Sequence, residues 1–164
     1  NVEYLEKVVR RLLQREEDLK EYYSSVLSAF ELDDGHFLHK EDKSFFEKMM
    51  QIIDSHIQNT DLSVELLSSS LGYSTRQFYR KLKNVTEKTP ADIIREYRLT
   101  IVERLLLTTQ LSIEEIMDKT GFSNRGTFYK AFAQKFEMTP KQYRNIKTKD
   151  VHEASEEGGG TMNV

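Results

Sequence analysis

Residues 62–74 read Leu-Ser-Val-Glu-Leu-Leu-Ser-Ser-Ser-Leu-Gly-Tyr-Ser, and residues 111–123 read Leu-Ser-Ile-Glu-Glu-Ile-Met-Asp-Lys-Thr-Gly-Phe-Ser. The two segments align without a gap at an offset of 49 residues. One extra residue then enters the second copy, after which Phe78-Tyr79-Arg80 aligns with Phe128-Tyr129-Lys130 at an offset of 50. One supersecondary unit therefore occurs twice in this chain.

The first half of each copy has the pattern of a short helix that ends in a tight turn. Ser63 and Ser112 stand where a helix N-cap is expected, and apolar residues follow them at helical spacing. Gly72 and Gly121 come at the end of this helix. Glycine is favoured there because it adopts a positive φ without steric cost.

The second half of each copy predicts another helix, with one apolar and one basic face. Ser74 and Ser123 are the expected N-caps. The residues predicted to be buried are Phe78 and Leu82 in the first copy, and Phe128 and Phe132 in the second. Two short helices joined by a glycine turn form a helix-turn-helix, which presents its second helix to the major groove of DNA.

A long helix is predicted between the two copies. Thr89-Pro90 and Thr139-Pro140 are each expected to begin a helix, since proline suits the first helical turn. Residues 91–108 predict a single helix with an inner face of Ile94, Ile101, Leu105 and Leu106. At about 1.5 Å per residue this helix would span about 27 Å. That length suits two DNA readers held roughly one DNA turn, about 34 Å, apart.

The N-terminal residues predict a helix that has two possible partners. Over residues 2–30 an apolar residue recurs every seventh position, at Leu5, Leu12, Leu19 and Val26. The places three residues after these are mixed, being Val8, Arg15, Tyr22 and Ala29. This pattern is compatible with a coiled-coil dimer and equally with a helix packed on a neighbouring domain.

The remaining segments complete the predicted organisation, which is all-α with two helix-turn-helix subdomains joined by a long linker helix and preceded by an amphipathic helix. Residues 1–43 are the N-terminal helix and a polar connector (31–43), and residues 44–145 are the double helix-turn-helix domain. Residues 45–58 predict an amphipathic helix packed on the first copy, with an inner face of Phe46, Met49, Ile52, Ile53 and Ile57. Residues 146–164 are charged, small and glycine-containing, and predict a disordered tail.

Composition excludes several classes of protein. With 38% apolar and 31% charged residues, the chain has no uncharged run near the roughly 18 residues of a membrane helix. It has no cysteine, which excludes disulfides and thiolate metal sites, and no signal peptide pattern, so a cytoplasmic setting is expected. Because the chain begins at Asn1 within helix-like sequence, we expect it to be the C-terminal piece of a longer protein.

The net charge of −3 conceals an asymmetry along the chain. Residues 61–144 contain 14 Lys and Arg against 10 Asp and Glu, a net charge of +4, while the rest of the chain carries −7. A phosphate backbone responds to the local potential rather than to the total charge. The repeat region is therefore compatible with DNA binding.

The exposed faces of the two second helices supply the predicted DNA-binding residues. They are Thr75, Arg76, Gln77, Tyr79, Arg80 and Lys83 in the first copy, and Asn124, Arg125, Gly126, Thr127, Tyr129 and Lys130 in the second. Arginine pairs with guanine and glutamine with adenine through two hydrogen bonds, whereas lysines such as Lys81 and Lys83 suit phosphates. A basic helix face is usually plain solvated surface, and only its recurrence at homologous positions favours DNA contact.

Two kinds of residue in these faces allow more than one interpretation. Tyr79 and Tyr129 are suited both to contact with DNA and to packing within the protein. Gly126 removes a side chain near the start of the second helix. Either the backbone approaches DNA closely there, or this helix reads less sequence than its counterpart.

No residue pattern favours catalysis, a cofactor or a metal. Nucleophile motifs, phosphate-binding glycine loops and zinc-protease patterns do not occur. His36 and His39, beside Asp33, Asp34 and Glu41, have donor atoms suited to a metal, but a polar connector is a poor scaffold for one. We predict a non-enzymatic segment without cofactor or metal.

Residues 61–144 resemble the DNA-binding domain of the AraC/XylS family of bacterial transcription regulators. The likeness lies in the two Leu-Ser-x-Glu segments with Gly72-Tyr73-Ser74 and Gly121-Phe122-Ser123, and in the stretch from Phe136 through Thr139-Pro140 to Tyr143-Arg144. The resemblance implies a seven-helix, two-lobed domain that binds two successive major-groove segments of a promoter. Gly126 and the acidic tail depart from that pattern.

The N-terminal segment carries a second, less specific resemblance. Tyr4-Leu5, the run 10–13 and the run 37–40 are similar to the segment after the receiver domain in hybrid two-component regulators of Bacteroidetes. This implies a sensor kinase and a receiver domain upstream, with double-stranded promoter DNA as the partner and a possible homodimer through the N-terminal helix. The alternative is a helical interaction or dimerisation module that does not bind DNA.

Overall fold

The computed structural model describes residues 1–34 and 37–157, and these ranges contain eight helices and no strand. The helices are α1 (Val2–Asp34), α2 (Lys40–Ser55), α3 (Val64–Ser70), α4 (Thr75–Lys83), α5 (Pro90–Thr108), α6 (Ile113–Thr120), α7 (Arg125–Phe136) and α8 (Pro140–Glu157). The predicted class, two helix-turn-helix subdomains with a long helix between them and an amphipathic helix before them, is confirmed.

The chain divides into two compact units. The first unit comprises Asn1–Tyr97 and contains α1 to α4, and the second begins at Arg98 and contains α6 to α8. The division falls within α5, whose first turns belong to the first unit and whose remaining turns belong to the second. Each helix-turn-helix therefore has a core of its own.

Helix α1 changes from exposed to buried along its length. Leu5 and Leu12 are 61% and 63% exposed, whereas Leu19 and Val26, at the same seven-residue spacing, are 8% and 5% exposed. The second half of α1 is thus a helix packed on its neighbour, α2, which is one of the two arrangements left open by the sequence. Helix α1 and the first helix-turn-helix belong to the same compact unit.

A polar network joins α1 to α2 and to the start of α5 within the first unit. The Arg15 Nε donates to Oδ1 of Asp54 (2.9 Å), and the hydroxyl of Tyr97 donates to the same oxygen (2.6 Å). The hydroxyl of Tyr22 donates to the carboxylate of Glu96 (2.9 Å). Burial, followed by the hydrogen bond to Asp54, raises the pKa of Tyr97, so its hydroxyl remains a donor at neutral pH.

The connector between α1 and α2 is shorter than the predicted 31–43. Helix α1 continues to Asp34, and α2 begins at Lys40 rather than at residue 45. The end of α1 is held by Glu31, whose carboxylate pairs with the Nζ of Lys43 (3.0 Å) and accepts a hydrogen bond from the amide of Leu38 (3.4 Å). These contacts explain why polar residues that favour a loop by composition are helical here. The residues 35–36 lie outside the described part of the chain.

Phe45 of α2 completes the core of the first unit. Its ring centroid lies 5.8 Å from that of Tyr73 in the turn and 5.7 Å from that of Phe78 in α4, both in edge-on geometry. Phe78 and Leu82 are buried, as predicted. Helix α2 therefore supports α4 on the side that carries these two residues.

The second unit builds its core from aromatic residues of its own repeat. Phe128 and Phe132 are fully buried, as predicted, with ring centroids 6.2 Å apart. Phe132 also packs on Phe136 (4.5 Å) and on Tyr143 of α8 (5.8 Å). Phe122, in the turn, lies 5.0 Å from Phe128. The rings form a continuous cluster that connects the turn, α7 and α8.

Arg144 of α8 holds two ends of the second unit together. Its guanidinium donates to the carbonyl oxygens of Leu106 (3.0 Å), Leu111 (2.7 Å) and Thr109 (3.4 Å). These carbonyls lie at the end of α5 and in the segment before α6, where helical hydrogen bonding leaves oxygen atoms without a partner. One arginine therefore fixes the path of the chain from α5 into α6.

Helix α8 extends past the predicted start of the tail. The prediction of disorder is wrong for residues 146–157, which continue α8 to Glu157. This stretch contains Lys, Glu and Ala, which favour helices, and neither Gly nor Pro before Gly158. Because the first turns of α8 are anchored in the core by Tyr143, the helix extends outward from a packed base. The remaining tail residues, 158–164, lie outside the described residues.

Candidate nucleic-acid interface

The turns of the two helix-turn-helix motifs have the same geometry. Gly72 and Gly121 both have a φ of 78°, which glycine adopts without strain. The amide of the next residue, Tyr73 or Phe122, donates to the carbonyl oxygen five residues earlier, at 2.9 and 3.0 Å. The glycine turns predicted from the repeat are therefore confirmed in both copies.

The N-caps of the two second helices differ. Ser74 caps α4 as predicted: its Oγ accepts from the amide of Gln77 (3.2 Å), and the Gln77 Oε1 accepts from the amide of Ser74 (3.0 Å). Helix α7 is capped by Asn124, whose Oδ1 accepts from the amide of Thr127 (2.9 Å). The prediction of Ser123 as the cap is wrong, because the extra residue of the second copy lies in the turn and moves the helix start by one position. Asn is as good a cap as Ser.

The structure leaves most of the predicted DNA-binding residues at the surface of their unit. Of the twelve, all are exposed except Thr75 and Tyr129, which are half-buried. The half-buried position of Tyr129 reflects its packing on the core of the second unit. Its counterpart Tyr79 is 45% exposed. The two tyrosines, which the sequence could not distinguish, thus differ in surroundings.

The exposed face of α4 is basic and unpaired. Arg76, Arg80 and Lys83 follow a helical spacing that places them on one side, away from the buried Phe78. Within the described part of the chain, neither Arg76 nor Arg80 has an ion-pair or hydrogen-bond partner. These two guanidinium groups are free to bind a polyanion or the edge of a base.

Lys81 lies apart from that face. Its Nζ is 5.2 Å from the ring centroid of Tyr73 and 5.8 Å from that of Phe45. Such an ammonium group is attracted to the ring faces. Lys81 therefore covers the aromatic core of the first unit, whereas Lys83 stands exposed beside the arginines.

The leading arginine of α7 is already engaged within the protein. Arg125 forms a salt bridge with Glu114 of α6, and its guanidinium lies 5.2 Å from the ring centroid of Tyr129. A hydrogen bond from the backbone amide of Glu114, and then the bond from Arg125, lower the pKa of the Glu114 carboxyl. The Glu114 carboxyl is therefore ionised at neutral pH. Glu114 and Tyr129 both hold the Arg125 side chain in place, whereas Arg76 has no such contacts.

Gly126 has a role within the protein. A Cβ at this position would come 3.3 Å from the Oδ1 of Asn124, the atom that caps α7. That contact is tight for a side-chain carbon, so a larger residue would press on the cap. A side chain at this position would require the Asn124 carboxamide to shift by a few tenths of an ångström, so glycine suits the present capping geometry.

Two roles in this region were missed by sequence reasoning. The capping role of Gln77 was readable, because Ser followed three residues later by Gln is the spacing of a capping box. The pairing of Glu114 with Arg125 joins residues eleven positions apart on different helices, and no local pattern signals it.

Residues 1–34 and 37–157 contain neither a membrane-spanning helix nor a cluster of metal ligands. No helix in those ranges is long and apolar enough to cross a membrane. No group of three His, Cys, Asp or Glu residues there is arranged to hold a metal ion. Of the histidines considered from the sequence, His36 lies outside the described residues.

Two copies of a capped helix, a glycine turn and an exposed polar helix define a helix-turn-helix DNA-binding domain. A family model described as a helix-turn-helix domain matches residues 67–146. The regulatory protein SoxS of Escherichia coli K12 is 30% identical over 103 residues, which are 63% of this chain and 95% of SoxS. The chain belongs to the AraC/XylS family of DNA-binding transcription regulators.

Two other similar proteins are described as a histidine kinase and as a two-component response regulator. Histidine kinase P4 of Formosa agariphila is 34% identical over 104 residues, which are 63% of this chain but only 8% of that protein. The solved C-terminal domain of the two-component response regulator yesN from Fusobacterium nucleatum is 28% identical, with a TM-score of 0.55. That likeness covers 60% of this chain and 95% of the solved domain.

Proposed function

We propose that this chain is the output module of a two-component signalling protein and reads two adjacent major-groove segments of a promoter. Support comes from the repeated basic face, from the histidine kinase that shares this segment, and from the response regulator with a similar C-terminal domain. The intact protein then carries a receiver domain upstream, as hybrid regulators of Bacteroidetes do. A chromosomal DNA ligand implies the cytoplasm, and a second copy of this chain, bound through α1, is a further proposed partner.

Base contacts in the first half of the site are assigned to Arg76, Gln77 and Arg80. Arg76 and Arg80 are exposed and unpaired, so each can approach O6 and N7 of a guanine without breaking an internal bond. The Oε1 of Gln77 is already occupied by the capping box. Gln77 therefore keeps only its amide donors, which suits an acceptor atom of a base better than paired bonds to adenine.

Base contacts in the second half of the site are assigned to Asn124, Arg125 and Thr127. The Oδ1 of Asn124 caps α7, which leaves its amide donors available. Arg125 is held over Tyr129 by Glu114, so its direction is set before DNA arrives. The surrounding Lys and Arg side chains, with Thr75, Tyr79 and Tyr129, complete the proposed contacts through phosphates. No catalysis, cofactor or metal takes part.

A selection from random duplexes tests this proposal. The chain is mixed with labelled random-sequence DNA, and the bound fraction is sequenced. We expect enrichment of a two-part motif with half-sites about one helical turn apart. Binding without an enriched sequence would contradict sequence-specific reading, and absence of binding at low salt would favour the interaction module instead.

Salt dependence gives an independent measurement on the selected duplex. With on the order of 6 to 10 phosphates neutralised, the affinity should fall about 10³- to 10⁵-fold between roughly 50 and 200 mM salt. Fluorescence anisotropy measures this slope directly. A flat response would contradict binding through the exposed cations.

A further inference from the structure

The first half of α1 exposes a stripe of aliphatic side chains. Leu5 and Leu12 are more than half exposed, and so are Val2 and Leu13. Val9 is 44% exposed. Val2, Leu5, Val9 and Leu12 follow alternating steps of three and four residues, which places them along one face of the helix. We call these four residues the N-terminal seam.

The seam has the register of a heptad repeat when its leucines are assigned to position d. Position a is then occupied by Val2 and Val9, and position d by Leu5 and Leu12. If the leucines are assigned to position a instead, position d is occupied by the mixed residues Val8 and Arg15. A β-branched residue at position a with leucine at position d favours a parallel coiled coil of two helices over other assemblies. This pattern therefore matches a second identical helix better than an unrelated surface.

Residues beside the seam are compatible with parallel pairing. In a parallel pair, position g of one helix faces position e of the next heptad in the other helix. These pairs are Asn1 with Glu6 and Val8 with Leu13. Neither combines like charges, and the second adds apolar contact. Two copies of α1 can thus meet over residues 1–13 without electrostatic repulsion.

The seam ends where α1 joins the body of the first unit. The next position a is the charged Glu16, and the next g and e residues, Arg15 and Lys20, would repel each other between chains. Arg15 is instead bonded to Asp54, and the next position d, Leu19, is buried against the first unit. Before residue 15 this face of α1 is exposed and has no partner within the described chain. From residue 15 onward it packs on the first unit.

We propose that residues 2–13 of α1 pair in parallel with the same residues of a second copy of this chain. This inference rests on the proposed function and deepens it, because paired chains bring two double helix-turn-helix domains to neighbouring DNA sites. Two heptads are fewer than the three or four typical of a stable coiled coil. The pairing is therefore weak in free solution and is seen most clearly as cooperative binding to two sites.

Sedimentation equilibrium over a range of concentrations tests the pairing. We expect a reversible monomer–dimer equilibrium that Leu5→Ala with Leu12→Ala weakens about tenfold or more. The control, Glu3→Ala with Lys7→Ala, removes an exposed ion pair on another face of α1 and leaves the net charge unchanged. A wild-type chain that stays monomeric, or a leucine variant that dimerises as well as wild type, overturns the proposal.

Because the chain contains no cysteine, single cysteines report the register. Val9→Cys places a thiol at position a, which faces its own counterpart only in a parallel, in-register pair. We expect Val9→Cys to form a disulfide-linked dimer under mild oxidation and Lys7→Cys, on the outer side, to form little. Equal cross-linking of the two variants, or none with Val9→Cys, overturns the parallel seam.

DNA binding separates this inference from the function on which it rests. On a duplex with one two-part site, the Leu5→Ala, Leu12→Ala variant should bind as tightly as wild type. On a duplex with two such sites, the wild-type chain should bind cooperatively and the variant independently. Equal cooperativity in both proteins overturns the proposed pairing but not the proposed function. Failure of the wild-type chain to bind the single-site duplex contradicts the proposed function.

Discussion

In the first helix-turn-helix, a ring from outside the repeat completes the packing of the turn, whereas the second supplies its own rings. Phe45 of α2 packs on the turn and on Phe78 of the first copy. In the second copy, Phe132 and Phe136 of α7 occupy the positions that correspond to Leu82 and Thr86. The larger side chains of the second copy replace the support that α2 gives the first.

The exposed faces of α4 and α7 also differ, in whether their arginines are paired within the protein. Arg76 and Arg80 have no partner within the described chain, while Arg125 is held by Glu114 and Tyr129. The first helix-turn-helix thus depends on α2 for its packing and offers free cations to DNA. The second unit is self-contained and presents a pre-oriented arginine. A change in α1 or α2 therefore affects the packing of the first helix-turn-helix directly.

Replacing Phe45 by Ala should destabilise the first unit by about 4 kcal/mol, since it removes a buried ring and leaves a cavity. Hydrogen exchange should then accelerate at the amides of α3 and α4 more than at those of α6 and α7. Phe37→Ala is the control, because that ring is 96% exposed. Equal acceleration in all four helices would contradict separate cores.

Arg144→Ala should have the converse effect on the second unit. It leaves three carbonyl oxygens without their charged donor, which costs about 3 kcal/mol. Protection from hydrogen exchange should fall in α6 and α7, and Lys141→Ala, on the exposed side of α8, should have little effect. If α3 and α4 lose protection first, the role assigned to Arg144 is wrong.

The Arg76→Ala, Arg80→Ala double variant should lose about a hundredfold in affinity for the selected duplex, because two base contacts disappear. The preference should be relaxed in the first half-site only. Arg10→Ala with Arg11→Ala removes the same charge from α1 and serves as the control. A loss of equal size in the control would mean that charge, rather than base reading, is responsible.

Glu137→Gly should stabilise the second unit by about 1 kcal/mol, because Glu137 ends α7 with a φ of 60°, where an L-residue is strained. The corresponding helix α4 ends at Asn84 with an ordinary φ of −72°. Thermal unfolding should show an increase in Tm of about 3 °C. Glu137→Ala should give no such gain, and an equal gain would point to the lost charge instead.

Glu114→Gln should have the smallest effect. It frees Arg125 from its ion pair, so discrimination at one base of the second half-site should change by about threefold, with the first half-site unaffected. Glu65→Gln, at the homologous position of the first unit, is the matched control. An equal change in both variants would indicate a general charge effect on DNA affinity.

Local patterns predicted most of the individual helices and their buried faces. Phe78, Leu82, Phe128 and Phe132 are all buried as expected, since helical periodicity and glycine turns depend on neighbouring residues only. The boundaries were less accurate. Ser123 gave way to Asn124 as a cap, and α1 and α8 extend further than composition suggested, because anchored helices continue through residues that would not form one alone.

The candidate site shows the same division between local and distant information. The repeat alone indicated the exposed side of α4 and α7 and its recurrence at homologous positions, although Thr75 and Tyr129 are half-buried. The tertiary structure decided which of these side chains already have partners. The Gln77 Oε1 accepts a capping hydrogen bond and Arg125 is paired with Glu114, whereas Arg76 is free. Such pairings depend on how separate helices pack.

The N-terminal helix is the clearest instance. Its seven-residue spacing determined an apolar face but left a partner chain and a neighbouring domain equally open. Packing against α2, with the bond between Arg15 and Asp54, decided that one half of that face is filled within the chain and the other is not. A periodic sequence specifies which face of a helix is apolar, because helix geometry places residues at that spacing on one side. What covers the face depends on contacts between residues distant in sequence, which only the folded chain brings together.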